Sequence, residues 1–169
     1  IALMNPGGIR ADLIEDAAGN VTYAAAFNVQ PFNNYDVSMD LTGQQVLNVL
    51  NEQWNGRNAA AFRILQVSGI AYAWDKSNAA AADLDALVPG SVMVDADANP
   101  LTPMVPLDPA ATYRVVVNSF LSDGGDGFGT LSLGTSKYFG GLDIDALGRY
   151  MTANDPTPVT ATTRITAQD

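Results

Sequence analysis

Asn118-Ser119-Phe120-Leu121-Ser122-Asp123-Gly124-Gly125-Asp126-Gly127-Phe128 holds the densest glycine cluster of the chain and follows Tyr113–Val117, a segment with three consecutive valines. Branched residues in a row favour extended backbone, so this is the strongest strand signal, and a rigid element should hold the loop. Glycines there let backbone approach a ligand closely. The loop lacks the Lys-Ser/Thr pair of a phosphate-binding P-loop, and Thr130 stands where a dinucleotide fingerprint needs its third glycine. Asp126 can accept hydrogen bonds from a ribose diol, and Phe120 can stack on a base, an interaction worth about 1–3 kcal/mol. The alternative is a hairpin-like loop whose Phe120 and Phe128 fill the core.

Two other segments have a similar make-up. Ile1–Met4 reads as a short buried strand that runs straight into Asn5-Pro6-Gly7-Gly8-Ile9-Arg10. Paired glycines expose backbone amides, and Arg10 adds a planar fork suited to phosphate. A tight turn with a solvated arginine fits the same residues. Thr22 can cap a short helix carrying Tyr23, Phe27 and Val29, which ends near Pro31 because the residue before a proline avoids helical backbone. Gln30-Pro31-Phe32-Asn33-Asn34 follows, with Phe32 between breakers in a polar setting, either exposed for binding or plugging the core.

The remaining segments set the fold class. Tyr35–Leu41 alternates, with Val37, Met39 and Leu41 on one face, as a half-buried strand does. Thr42-Gly43-Gln44-Gln45 matches a capping box, opening a helix to about Gln53 that buries Val46, Leu47, Leu50 and Trp54. Strands are expected at 64–67 and 70–74, at 91–94 paired with 104–105, and at 164–166. The Ala-rich stretch 79–83 fits a loop or a helical turn. Asp143 is placed to cap a last helix with Leu147, Tyr150 and Met151 inside. Several strands follow one another directly, which argues for an α+β domain with a mixed sheet and packed helices, spanning residues 1–169 as one unit.

Composition narrows the chemistry. The 169 residues are 47% hydrophobic and 15% charged, values of a folded chain, and no stretch is long and apolar enough to cross a bilayer as a helix. The net charge of −10, with eight Lys plus Arg, speaks against nucleic acid as a partner. One or two well-placed arginines still suffice for a small anion. With no Cys and no His, thiolate and imidazole catalysis are excluded within the chain, and zinc is improbable. Asp95, Asp97 and Asn99 mimic the start of a calcium loop, but Pro100 and Pro106 stand at its glycine and closing acid. No catalytic or metal-ligating residue is therefore expected here. The opening on Ile1, an apolar residue, reads as a piece cut from a longer protein.

Taken in order, the motifs resemble the 5'-nucleotidase C-terminal domain: Asn5-x-Gly7-Gly8-Ile9-Arg10, Phe27-Asn28-x-x-Pro31-Phe32, Leu41-Thr42-Gly43, Gln66-Val67-Ser68-Gly69-Ile70, Tyr113-Arg114-Val115, and Asn118-x-Phe120-Leu121-x-x-Gly124-Gly125-Asp126-Gly127-Phe128. The match is colinear from residue 1 to about 151. The resemblance implies a domain that holds a nucleotide for a separate N-terminal metallophosphatase domain carrying two divalent metal ions. It implies that Phe32 and Phe120 sandwich the base, Asp126 binds the ribose hydroxyls, Asn5 contacts the base and Arg10 the phosphate end. Gly7, Gly8, Gly124 and Gly125 would shape the two loops. Pro6 departs from the glycine common in the family and removes an amide donor. The resemblance further implies an exported, periplasmic or cell-surface location. It leaves open whether the substrate is a 5'-nucleotide, a 2',3'-cyclic or 3'-nucleotide or a nucleotide sugar. A non-catalytic nucleoside-binding module is a further alternative.

Overall fold

The computed structural model describes residues 1–79, 86–97, 102–157 and 163–168. Along the chain run β1 (Ala2–Met4), α1 (Tyr23–Val29), β2 (Tyr35–Thr42), α2 (Gly43–Asn51), β3 (Gln66–Ser68), β4 (Ile70–Asp75), α3 (Lys76–Ala79), β5 (Met93–Val94), β6 (Val105–Pro106), β7 (Thr112–Asn118), α4 (Ser119–Ser122), β8 (Thr135–Leu142), α5 (Asp143–Ala153) and β9 (Ile165–Gln168). The α+β class is as expected, but the strands form two sheets rather than one. One is five-stranded in the order β3-β1-β7-β2-β8, the other four-stranded in the order β6-β5-β4-β9. Gly69 separates the two: its φ of 71° lies in the left-handed region and ends β3, so that β4 enters the second sheet.

The alternation in β2 sets the buried face of the first sheet. Val37 pairs with Val117, Met39 with Val115 and Leu41 with Tyr113 on antiparallel β7, and Val37, Met39, Leu41, Val115 and Val117 are buried. The opposite face is polar: Arg114 donates to Asp40 Oδ1, Ser38 Oγ and Ser136 O. Against the buried face lies α2, started by the expected capping box, in which Gln45 N donates to Thr42 Oγ1 and Thr42 N to Gln45 Oε1. Its apolar stripe buries Val46, Val49 and Leu50, with Trp54 beyond its end, while Leu47 is only partly buried. Trp54 stacks on Trp74 of β4 with ring centroids 5.1 Å apart, joining both sheets in one core.

Gly43 opens α2 against the Asp108 backbone, where an added Cβ would overlap the Asp108 carbonyl oxygen. Backbone cannot yield as a side-chain tip does. Gly43→Ala is expected to cost about 3 kcal/mol, at the upper end for overpacking. A chemical-denaturation midpoint equal to that of the parent protein would show that the Asp108 segment relaxes freely.

Two expectations need correction, and one strand is unexpected. The β8 strand has no alternation to reveal it, being an exposed edge strand containing Gly140 and Gly141. Asp143 is the first residue of α5 rather than its cap; Leu142 holds the cap position, and Asp143 Oδ1 accepts from Ile144 N. Tyr150 is exposed, and Ile144 supplies the buried contact of α5 instead. The paired short strands β5 and β6 form as expected, shifted by one or two residues. Of the Ala-rich stretch, Ala79 ends α3 and residues 80–83 lie outside the described residues, as do Asn99 and Pro100.

Candidate functional site

Strand order explains why distant loops meet. In the first sheet β7 lies between parallel β1 and antiparallel β2. The residues leaving β1, those leaving β7 and those entering β2 therefore sit at the same end. These are Asn5 to Arg10, Ser119 to Phe128 and Phe32 to Asn34. Together they enclose a cleft of about 370 Å³. Asn5, Gly7, Gly8 and Arg10 line it from the first loop. Phe32, Phe120 and Asp126 line it from the other two, joined by Asn34 and Arg63.

Phe32 and Phe120 are 51% and 46% exposed, whereas Phe128, from the same loop as Phe120, is fully buried. The loop thus has a split role, one ring in the core and one at the cleft. Arg10 lies over the Phe32 ring, its guanidinium carbon 5.8 Å from the centroid, within cation–π range. Phe120 rests on Gly125, where an added Cβ would come within 2.6 Å of its ring. Gly125 therefore lies behind the aromatic rather than on the cleft wall. Asn118 caps the single-turn α4 that presents Phe120, its Oδ1 accepting from Leu121 N at 2.9 Å. Lys137 closes the far end of that turn, donating to Ser122 O at 2.9 Å.

The polar floor is a connected network. Asn118 Nδ2 donates to Asn5 Oδ1 at 3.0 Å, and Asn5 Nδ2 donates to Asp126 Oδ2 at 2.8 Å. Arg63 Nη1 lies 3.3 Å from Asp126 Oδ1. Asp126 has a partner on each oxygen, and Asn5, 3% exposed, divides its amide between two neighbours. A carboxylate has about four lone-pair sites, so Asp126 retains acceptor capacity. Asp126 adopts φ 56° and Gly127 after it φ 86°, both in the left-handed region. The Asn5 bond holds its carboxylate at the cleft floor. Pro6 sits at the start of a 3-10 turn, Pro6–Gly8, where the amide it lacks would have no intrahelical partner, so the departure from glycine removes no bond within the turn.

Arg63, Asn34 and Asn58 were not singled out from the sequence. Asn58 and Arg63 stand in an Ala-rich stretch without a motif, and only the scarcity of basic residues, eight in all, draws attention to Arg63. Beneath them, Glu52 accepts from Thr130 N and Thr130 Oγ1 on Oε1, while its Oε2 is buried without a hydrogen-bond partner among the described residues. Burial raises the Glu52 pKa above its ordinary 4.5, against the pull of the Thr130 bonds. The folded state then holds this proton more tightly than the unfolded state. Its contribution to stability is greatest below the unfolded value and declines as pH rises through the folded one. Glu52→Gln is expected to flatten that decline in a pH series of denaturation midpoints. An unchanged slope would assign it to other acids, among them Asp36 and Asp143, which burial also raises.

The fold is thus an α+β domain that gathers two half-exposed aromatics, two arginines and a held carboxylate around one cleft at a sheet end. The family model for the 5'-nucleotidase, C-terminal domain, matches residues 1–132, and the chain belongs to that family. It is 31% identical over 160 residues to an apyrase of Tabanus yao, across 92% of this chain and 27% of the apyrase. It is 35% identical over 130 residues to the cell wall protein Lmo0130 of Listeria monocytogenes, across 75% and 15% of the two chains. The crystal structure of a 5'-nucleotidase precursor from Thermus thermophilus superposes with TM-score 0.82 at 35% identity, covering 99% of this chain and 31% of that one. The chain thus spans less than a third of the length of each of these relatives.

Proposed function

We propose that the cleft binds a nucleotide, and that the chain, residues 1–169, is the substrate-binding domain of a longer exported phosphoesterase that releases nucleoside and phosphate. The observation that carries this reading is the convergence of Phe32 and Phe120, both half-exposed, on one cleft that Asp126, from the Phe120 loop, also lines. Every nucleobase has a π-face, so such walls hold a base with loose selectivity. Asp126 accepts the ribose hydroxyls, and Asn5, fixed by Asn118, orients that carboxylate and keeps one amide hydrogen for the base edge. Arg10 leaves the Phe32 face and turns its fork to the phosphate, helped by the Gly7 and Gly8 backbone; Gly125 gives Phe120 room. The chain has no His or Cys, so ester cleavage is assigned to two divalent metal ions in a separate N-terminal domain, which supply an activated water and neutralise charge. On its own this chain is expected not to turn over AMP, and metal-dependent hydrolysis that co-purifies with it would contradict that assignment. The name of the cell wall relative supports an exported location.

Titration of the protein with AMP and adenosine tests the reading. At a hundredfold excess over Kd, a ligand that binds only the folded state adds about 2.7 kcal/mol of stability. Asp126→Ala should weaken adenosine binding by about 1.5–3 kcal/mol, the range for a hydrogen bond to a charged group. Binding that is neither saturable nor accompanied by a thermal shift would refute the nucleotide reading.

A further inference from the structure

Arg63 sits beside Asp126, but its other contacts are not those of a surface ion pair. Its backbone is anchored to the core: Arg63 N donates to Gln53 O at 2.8 Å, and the buried Gln53 takes Leu65 N and Tyr72 Oη on its side-chain oxygen. Arg63 Nε donates to Asn58 Oδ1 at 2.9 Å. The same buried Asn58 donates to Asp126 O at 2.9 Å and to Glu52 O at 2.8 Å. One asparagine thus fixes both the guanidinium and the backbone of the carboxylate opposite it. The remaining Arg63–Asp126 distance, 3.3 Å, is longer than the usual 2.7–2.9 Å of a charge-assisted bond, and Nη2 has no hydrogen-bond partner among the described residues. Arg63 therefore brings spare donors to the cleft it lines.

A vicinal diol offers both hydrogens and lone pairs, while a carboxylate only accepts and a guanidinium only donates. Asp126 alone satisfies half of that pattern. We propose that Arg63 is a specificity-determining residue whose guanidinium donates to the ribose oxygens of a bound nucleotide while Asp126 accepts from the same hydroxyls, so that the pair selects ribose over deoxyribose. This rests on the nucleotide reading of the cleft. A purely structural Arg63, serving only to hold Asp126 in its left-handed backbone, makes a different prediction.

The experiment is isothermal titration of the intact protein with adenosine, 2'-deoxyadenosine, 3'-deoxyadenosine and adenine. The parent protein should prefer adenosine over each deoxy analogue by about tenfold or more, the size of one hydrogen bond to a charged group. Arg63→Met keeps the apolar stem and removes the donors. It should bring that preference to within about threefold while leaving adenine affinity unchanged; the thermal midpoint should fall, because the buried Asn58 Oδ1 loses its donor. Arg63→Lys retains the charge without the fork and should fall between the two. A parental ribose preference in Arg63→Met overturns the proposal. So does an equal loss for adenosine, the deoxy analogues and adenine. A structural Arg63 acts only through Asp126, so in an Asp126→Ala background Arg63→Met should change nothing; direct donation predicts a further loss of the remaining adenosine preference, and its absence overturns the proposal. A parental preference in Arg63→Lys overturns the requirement for the fork. A parent protein that binds neither adenosine nor adenine refutes the nucleotide reading itself, and is distinct from binding with a preference insensitive to Arg63.

Discussion

Removing both aromatic walls, Phe32→Ala with Phe120→Ala, should weaken adenosine and AMP binding by about a hundredfold or more, since stacking on one aromatic is worth about 1–3 kcal/mol. Each single variant should lose between a few-fold and about a hundredfold. The two losses should not add fully, because a base freed from one wall repacks on the other. Both rings are half-exposed, so little core is lost and the fold should persist, as a far-UV spectrum and a denaturation midpoint will show. Phe120→Leu should fall between parent and alanine, because it fills the volume without a π-face. Phe32→Ala also removes the surface on which Arg10 rests. If the double variant binds adenosine as the parent does, the aromatics do not clamp the base.

Trp54→Ala should have the largest effect on stability, about 3–5 kcal/mol, as for a buried tryptophan truncated in a core. Trp54 is fully buried, stacks on Trp74 and lies 6.5 Å, centroid to centroid, from Tyr72, and its indole donates to Asn51 Oδ1 at 3.1 Å. Most domains have only about 5–15 kcal/mol in reserve, so this variant should unfold well below the parent's midpoint. Because Trp54 joins the two sheets, the transition should remain single and cooperative. Two separated transitions would mean that the sheets are independent units, and a midpoint near the parent's would mean that neighbours refill the space.

The local elements were legible because their signals are local. Alternation in Tyr35–Leu41, the capping box at Thr42 and Gln45, the valines of Tyr113–Val117 and the stop before Pro31 each depend on neighbours a few residues away, and each forms as read. Where the local signal was weak, the reading failed. The β8 strand has glycines and two exposed faces, so pairing with β2 alone makes it a strand. The capacity of Asp143 to cap was real, yet the chain entering from β8 puts the helix start one residue earlier.

For the cleft, the sequence by itself determined the parts: three breaker-rich loops beside strands, each with an aromatic or an arginine able either to bind or to serve the core and surface. It also settled that imidazole and thiolate chemistry are absent from the chain. Only the tertiary structure decided that these parts meet. The order β1-β7-β2 brings one parallel and one antiparallel neighbour to β7, and that pairing places the three loops at one end of the sheet. It also decided which phenylalanine of the glycine-rich loop enters the core and which stays half in solvent. Finally it added Arg63 and Asn58, whose stretch has no motif, because their positions depend on Gln53 and Asp126, partners brought near by packing rather than by spacing along the chain. Spacing governs local backbone geometry; which distant side chains share a cleft is governed by strand pairing and a common core, and no short window of sequence contains either.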